Sequence, residues 1–187
     1  MTHATDILVH SGRYFDFENL AGNVIDIEDI AQGLSNVCRF GGQVPEFYSV
    51  AQHSVLVFQL LRDVLGVSDP ATLMQGLLHD ATEAYLGDVV SPLKRLLGGY
   101  QAIETRLNVF VMRHFNLPLE LPPAVKRADL MALAIEKREL WGNRDEWAVL
   151  QGVPETPWEL TPYSPRVARS AFMRTFQYME RERKLAL

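Results

Sequence analysis

Cysteine is almost missing from this sequence, since Cys38 is the only one among 187 residues. A single thiol cannot form a disulfide within the chain, which excludes the disulfide-rich secreted domains. The sequence also lacks an apolar run near the roughly 20 residues that a membrane-spanning helix needs, and its start lacks a signal-peptide pattern. We therefore expect a cytoplasmic protein with no membrane partner, in which Cys38 is a small core residue rather than a reactive thiol.

An excess of positive charge is also lacking, because 18 Lys and Arg stand against 23 Asp and Glu, for a net charge of −5. Proteins that bind nucleic acid polymers usually carry an excess of basic residues, which displaces the counterions of the phosphates. We therefore expect no nucleic acid partner, and a small anionic ligand must meet a local group of basic side chains. The 48% hydrophobic content suits one domain with a substantial core.

The stretch from Leu77 to Asp88 carries the strongest chemical pattern. Apolar residues before and within it have the spacing of a helix that is buried on most sides: Ala71, Leu73, Met74, Leu77 and Leu78. His79 and Asp80 follow this helix directly, and Glu83 lies at i+4 from His79, on the same side. A buried imidazole beside a buried carboxylate needs a partner, and a divalent cation satisfies both. On this segment alone, an ordinary polar pair with a solvated Glu83 fits equally well.

Two more ligand-type residues lie on apolar helical stripes. The stripe of His53 contains Val50, Val57, Leu60, Leu61 and Val64. The stripe of Asp129 contains Val125, Ala132, Leu133 and Leu140. These stripes predict that both side chains point into the core, where a carboxylate is rarely left without a partner. Two His and two Asp residues from three helices suit a metal ion with positions left for water and phosphate.

His114 is a rival of His53 for the metal. It extends a further apolar stripe, which contains Ile103, Leu107, Phe110 and Val111. We favour His53, because His114 falls in the last turn of its helix, where it interacts favourably with the helix dipole. His114 also has no acidic neighbour in the sequence.

The order of these residues, a His, then a His-Asp pair, then an Asp on successive helices, resembles the HD-domain phosphohydrolase superfamily. Four stretches are similar to its bacterial 5′-deoxynucleotidase branch: His79–Glu83, Gly87–Asp88, Ser91–Lys94 and Val125–Asp129. Two stretches are similar to the small prophage and phage members known as YfdR-like proteins, which include a phage dATP triphosphohydrolase: Ile30–Gly42 and Phe47–His53. The resemblance runs from about Ser11 to about Trp147.

The resemblance implies an all-α HD-domain helical bundle that holds one divalent metal ion. The implied ligands are His53, His79, Asp80 and Asp129. Mixed His and carboxylate ligands are compatible with Co, Mn, Zn, Fe or Mg, and a triphosphate substrate would bring a second Mg. The resemblance also implies a homo-oligomer, either a dimer or a hexamer, that acts on a small deoxynucleotide.

The resemblance further implies roles for single residues. Glu83 would orient or deprotonate the attacking water, or protonate the leaving group. Asp88 would accept a hydrogen bond from the sugar and help to place the substrate. Phe40 and Pro92 would help to shape the pocket, although relatives commonly carry a Trp at the position of Phe40. From the residues alone, Phe40 is equally an ordinary core ring.

Three basic residues would bind phosphate oxygens by the same resemblance: Arg39, Lys94 and Lys126. The residues themselves leave other interpretations open. Arg39 lies at a helix end, where it could face the helix carbonyls, and Lys94 could be solvated.

The predicted single domain has three parts. Residues 1–25 form an N-terminal cover segment, with a hairpin or two extended pieces on either side of Ser11-Gly12. Residues 26–142 form the catalytic helical core. Residues 143–187 contain a proline-rich wrapping loop and a C-terminal helix, which begins at Ser164-Pro165.

The sequence thus predicts a metal-dependent phosphohydrolase that cleaves deoxynucleotides at the 5′ phosphate. The products would be a deoxynucleoside and either phosphate, from a monophosphate, or triphosphate, from a triphosphate such as dATP. Two alternatives stay open. One is an HD-type phosphodiesterase of another nucleotide, although the Gly-Tyr-Pro signature of that branch is missing. The other is a non-catalytic nucleotide-binding regulator, which would not need Glu83.

Overall fold

The computed structural model describes residues 4–185, and this part of the chain is mostly helical, as predicted. Eight helices lie within it: α1 Ile27–Asn36, α2 Val50–Gln59, α3 Pro70–Leu78, α4 Glu83–Leu86, α5 Ser91–Lys94, α6 Gly98–His114, α7 Pro123–Trp141 and α8 Pro165–Leu185. Two strands, β1 Asp6–Leu8 and β2 Tyr14–Asp16, form an antiparallel hairpin before them. None of the helices in residues 4–185 is long and apolar enough to cross a membrane.

The core centres on α2, where every residue from Val50 to Phe58 is buried. α3, α7 and α8 pack against α2, and α8 also contacts α1 and α3. A π-helical turn, Leu60–Val64, continues α2. The sequence predicts that the helix bearing His53 ends at about Leu65, which agrees. Val64 itself is exposed, so the predicted apolar stripe of His53 is wrong at this last position.

α3 ends at Leu78, and α4 does not begin until Glu83. Between them, the backbone forms hydrogen bonds from residue i+3 to residue i, such as Glu83 N to Asp80 O at 2.9 Å. These bonds make a tighter turn than an α-helix. The sequence places the end of this helix at His79, one residue beyond its last helical residue. The expected i+4 relation, with Glu83 on the same side as His79, does not hold in this tighter turn, although both residues belong to the same site.

The N-terminal hairpin covers one face of the helical core, as predicted. Phe15 is buried, and its ring stacks on Tyr85 with 4.3 Å between the ring centroids. Ser11, in the turn of the hairpin, donates hydrogen bonds from its backbone N and its Oγ to the carboxylate of Asp29, at 2.6 and 2.8 Å. Asp29 belongs to α1, so these two bonds attach the hairpin to the core.

The α5 and α6 region differs from the prediction. α5 is one turn that ends at Lys94, whereas the sequence predicts a short helix through Leu97. α6 begins at Gly98 rather than near Gln101. Ile103 is exposed, because the first buried residue of α6 is Leu107 and the earlier turns extend past the core.

The segment between α7 and α8 is irregular, as predicted, apart from a short 3₁₀ turn at Ala148–Leu150. Gln52 of α2 fixes this segment with two hydrogen bonds at 2.8 Å, from its Nε2 to Thr161 O and from Tyr163 N to its Oε1. The wrapping segment is therefore attached to the residue next to His53.

Candidate metal centre

Side chains from three helical regions meet at one place. His53 comes from α2, His79 and Asp80 come from the end of α3, and Asp129 comes from α7. His53 Nε2 lies 3.4 Å from both His79 Nε2 and Asp129 Oδ1. Asp80 Oδ2 lies 3.3 Å from His79 Nε2 and 3.6 Å from His53 Nε2.

The ligand atoms of His53, His79 and Asp80 lie within 4.8 Å of one another, so these residues could hold a metal ion, as predicted. Asp129 lies outside that three-residue group but adds a fourth donor atom, its Oδ1, on the side of His53.

Both imidazoles turn Nε2 towards this group, because Nδ1 is engaged on the other side of each ring. His79 Nδ1 donates to the carbonyl oxygen of Gly76 at 2.8 Å. His53 Nδ1 donates to Oε1 of Glu136 at 2.6 Å. In a neutral imidazole the other nitrogen then carries only a lone pair. The two Nε2 atoms therefore face the same space as the carboxylates of Asp80 and Asp129, and in their deprotonated form they complete a donor set that fits a divalent cation.

The electrostatics of the group favour a positive charge at its centre. Burial lowers the pKa of His79, but Asp80 and Asp129 outweigh it and raise that pKa to about 9. Burial would raise the pKa of both carboxyls, yet the imidazoles hold the pKa of Asp80 and of Asp129 well below the usual range. The carboxylates are therefore ionised at neutral pH. Protons and a metal ion compete for the same nitrogen lone pairs, so metal affinity must fall as the pH falls.

Glu83 lies three residues after Asp80 and is only 4% exposed. Its Oε1 accepts a hydrogen bond from Lys94 Nζ at 3.3 Å, whereas its buried Oε2 has no partner within the described residues. Burial, Asp80 and Asp88 raise the pKa of Glu83 well above its usual value, and Lys94 opposes this shift. A buried carboxylate with an unused oxygen and a raised pKa beside a donor cluster is a candidate for proton transfer.

Lys94 is held between two carboxylates rather than solvated. Its Nζ lies 2.6 Å from Glu104 Oε1, closer than to Glu83, and 5.7 Å from the centre of the Tyr100 ring. Burial lowers the pKa of Lys94, but Glu104 and Glu83 outweigh it and raise the pKa. The ammonium group is therefore charged and lies beside the site.

Arg39 is buried, and its guanidinium contacts carboxylates rather than helix carbonyls. Nη2 lies 3.2 Å from Glu136 Oε2, and Nη1 lies 3.5 Å from Asp80 Oδ2. Burial would raise the pKa of the Glu136 carboxyl, but Arg39 and His53 outweigh it and lower that pKa, so the carboxylate is charged. Arg39 thus provides positive charge at the edge of the donor group.

Phe40 has a left-handed backbone with φ 58°, which costs a residue with a side chain roughly 1–2 kcal/mol. Its N–H donates to Asp88 Oδ2 at 2.8 Å, and this bond holds the unusual conformation. The half-buried ring meets Trp141 edge-on, 4.8 Å between centroids, and lies 5.0 Å from the guanidinium of Arg39. Phe40 is therefore at the edge of the site rather than in the core. One oxygen of Asp88 is already committed to a backbone bond.

The remaining candidates lie further out. Lys126 is exposed, and its Nζ pairs with Asp129 Oδ2 at 2.8 Å. Pro92 is exposed in the single turn of α5, two residues before Lys94. His114 is exposed at the end of α6, where its ring meets Phe115 edge-on, so the choice of His53 over His114 is supported.

Comparison with known proteins gives relatives along almost the whole chain. The sequence is 39% identical over 182 residues to a protein of Escherichia coli strain K12 named uncharacterized protein YfdR, and the match covers 96% of this chain and 98% of that protein. The chain belongs to the YfdR family. An uncharacterised protein of Rhodobacter capsulatus is 40% identical over 140 residues, which is 71% of either chain. No protein-family model matches the sequence.

Two residues of this YfdR-family site were missed by the sequence analysis. Glu136 is fully buried and follows Asp129 by seven residues, which is two helical turns on the same face of α7. That spacing was a usable signal. Glu104 gave no signal, because its contact with Lys94 depends on how α5 and α6 meet.

Proposed function

We propose that this YfdR-family protein is an HD-type, metal-dependent phosphohydrolase of deoxynucleotides. It cleaves the ester at the 5′ phosphate and releases a deoxynucleoside with phosphate from a monophosphate, or with triphosphate from a triphosphate such as dATP. One observation carries the proposal. The Nε2 atoms of His53 and His79 face the carboxylates of Asp80 and Asp129, beside a buried Glu83 whose Oε2 has no partner within residues 4–185.

A divalent ion held by these four residues would polarise a phosphate oxygen and lower the pKa of a water molecule. Glu83 would accept the proton of the attacking water. Its Oε2 is available to do so, and its raised pKa brings the carboxylate closer to neutrality than an exposed Glu. A well-placed general base of this kind contributes about 10² to 10⁴ in rate.

Basic side chains compensate for the charge of a phosphate at this acidic protein. Arg39, Lys94 and Lys126 each lie within 3.5 Å of a carboxylate of the site. A phosphate can therefore reach these cations only by competing with Asp80, Glu83 or Asp129. Binding of a metal ion would weaken that competition, because the ion takes up carboxylate charge. Metal should accordingly bind before the nucleotide or together with it.

The sugar end of the substrate lies towards Phe40 in this proposal. Asp88 accepts a hydrogen bond from the backbone of Phe40, and the ring contacts both the guanidinium of Arg39 and the ring of Trp141. An aromatic face supports a sugar or a base without reading its identity.

The test is chromatographic separation of the products that purified protein forms from a panel of mono-, di- and triphosphates, in deoxy and ribo forms, with Mn, Co, Zn or Mg. We expect release of a deoxynucleoside. We expect Glu83→Gln to lower kcat by about 10² to 10⁴, whereas Glu139→Gln, on the exposed side of α7, should leave kcat unchanged.

Two results would contradict the proposal. Cleavage of cyclic dinucleotides without cleavage of any deoxynucleotide would favour a phosphodiesterase. Nucleotide binding without any product would favour a regulator, and Glu83→Gln would then have no effect beyond binding.

A further inference from the structure

Glu136 is a fully buried carboxylate with both oxygens in use. Oε1 accepts the hydrogen on Nδ1 of His53 at 2.6 Å. Oε2 accepts a hydrogen bond from Nη2 of Arg39 at 3.2 Å. Glu136 is not itself a ligand in the donor group, because it lies on the Nδ1 side of the His53 ring and the group forms on the Nε2 side.

The contacts of Glu136 continue into the donor group through Arg39. Nη1 of Arg39 lies 3.5 Å from Asp80 Oδ2, and Asp80 Oδ2 lies 3.6 Å from His53 Nε2. Glu136, His53, Asp80 and Arg39 thus form a closed ring in which each side chain contacts the next through a hydrogen bond or an ion pair. The ring joins α7, α2, the turn after α1 and the end of α3.

Stability alone is a weak reason for such a ring. Replacing a buried ion pair by well-packed apolar residues is often neutral or stabilising by about 1–4 kcal/mol, because two charges must be taken out of water. Glu136 lies among buried apolar residues of α7, next to Ile135 and Ala132, where a Leu would be the ordinary core residue. A carboxylate here therefore indicates a task that an apolar side chain could not perform.

We infer that Glu136 is a positioning residue that sets the tautomer and ring angle of His53 for metal binding and, through its second oxygen, places Arg39 at the anion-binding edge of the site. The inference rests on the proposed metal site. With its hydrogen held on Nδ1, His53 presents the Nε2 lone pair to the ion. Without Glu136, the other tautomer becomes accessible and its Nε2–H would block the ligand position.

Glu136→Gln is the informative variant because it keeps the shape and removes the charge. An amide can offer its oxygen to only one of the two partners, since its other end is a donor. If the oxygen accepts from His53, the NH₂ group faces the donors of Arg39. Glu136→Asp is the second variant, which keeps the charge and both acceptors but shortens the reach by one methylene. Glu139→Gln is the matched control, because it removes a carboxylate from the exposed side of the same helix.

The measurement is the dissociation constant of Mn or Co by calorimetric titration of metal-free protein, with thermal unfolding of the same samples to check the fold. We expect Glu136→Gln to weaken metal binding by about 10- to 100-fold, the usual effect of losing an outer-shell partner. The metal affinity of Glu136→Asp should lie between those of Glu136→Gln and the wild type, and the affinity of Glu139→Gln should match that of the wild type. Side-chain nitrogen NMR of the zinc-loaded protein should show the Nδ1–H form of His53 in the wild type.

The outcomes separate this inference from the proposed function. If the wild type binds metal and a folded Glu136→Gln binds it equally well, Glu136 has no positioning role, while the proposed function stands. If Glu136→Gln does not fold, the metal affinity of Glu136→Asp is compared with that of the wild type instead, and equal affinity again means that Glu136 has no positioning role. If the wild type binds no metal, the proposed function fails first and the inference fails with it.

Discussion

The proton affinity of Glu83 depends on a few charged neighbours. Burial, Asp80 and Asp88 raise its pKa, and Lys94 lowers it. Lys94 is itself shared, because Glu104 Oε1 is 2.6 Å away and Glu83 Oε1 is 3.3 Å away. Glu104 of α6 therefore influences the pKa of Glu83 through the Lys94 that they share.

Lys94→Met should move the acidic limb of the kcat–pH profile to higher pH. Activity needs the ionised carboxylate, so it is present above the pKa of Glu83 and is lost as the pH falls through it. Removing the ammonium removes the interaction that lowers this pKa. Steady-state kinetics on the best substrate between pH 5 and pH 9 would measure the limb.

Glu104→Gln serves as the opposite control for Lys94→Met. It frees Lys94 to pair with Glu83 alone, so the acidic limb should move to lower pH. A limb that stays in place in both variants would show that Glu83 is not the titrating base.

Two residues of the donor group were predictable because each is a polar residue on an otherwise apolar stripe. His53 and Asp129 are of this kind, and their atoms are 3.4 Å apart. Glu136 carries the same signal, because it too is a charged residue among buried apolar residues of α7. The direction of the Arg39 side chain was not predictable, because it follows from the left-handed turn at Phe40, which no local pattern identifies.

At the level of helices, α4 packs closely against α1 at Gly33. A Cβ added at Gly33 would lie 2.7 Å from the carbonyl oxygen of Ala84 and 2.8 Å from its Cα. Both neighbours are backbone atoms, which cannot move without moving α4. Ala84 is adjacent to Glu83, so this contact also helps to position Glu83, the proposed base.

Gly33→Ala should destabilise the protein by about 1–3 kcal/mol, the usual cost of overpacking, and lower kcat because α4 is displaced. Urea unfolding and steady-state kinetics measure the two effects. Gly99→Ala in α6 is the control, because a Cβ there meets nothing within 4 Å and should leave stability unchanged or raised by up to about 1 kcal/mol. Equal stability of the two variants would mean that α1 and α4 are not in close contact.

Element boundaries were predictable where strong local signals exist and not elsewhere. The hairpin around Ser11-Gly12 and the proline at the start of α8 were correctly placed. The tighter turn that follows α3 was not, because the apolar run gives no sign of the change in backbone hydrogen bonding after His79. The end of α5 depends on packing against α6, which is a long-range property.

At the level of the whole molecule, the C-terminal part of the chain packs against the central helices. α8 packs on α1, α2 and α3, and the segment before it is fixed to α2 by Gln52. Arg138 of α7 adds hydrogen bonds to the carbonyls of Thr156, at 3.0 Å, and of Trp158. The wrapping segment therefore connects α8 to the same two helices that carry His53 and Asp129.

Gln52→Ala should release this segment. It removes a donor from Thr161 O and an acceptor from Tyr163 N, and the loss of a hydrogen bond in a buried position costs about 1–3 kcal/mol. We expect a lower free energy of unfolding in urea and faster proteolysis between residues 143 and 164. Gln177→Ala, an exposed glutamine of α8, should change neither. Unchanged proteolysis in Gln52→Ala would contradict the attachment.

The central claim is that His53, His79, Asp80 and Asp129 together bind one divalent ion. The most direct measurement is equilibrium dialysis of metal-free protein against Mn or Co, with the bound metal counted by elemental analysis. One ion per chain in the wild type is expected, and His79→Ala and Asp129→Ala should each weaken binding by more than the roughly 10- to 100-fold of an outer-shell change. The account would be contradicted if the wild type showed no saturable binding, or if the two variants bound the ion as tightly as the wild type does.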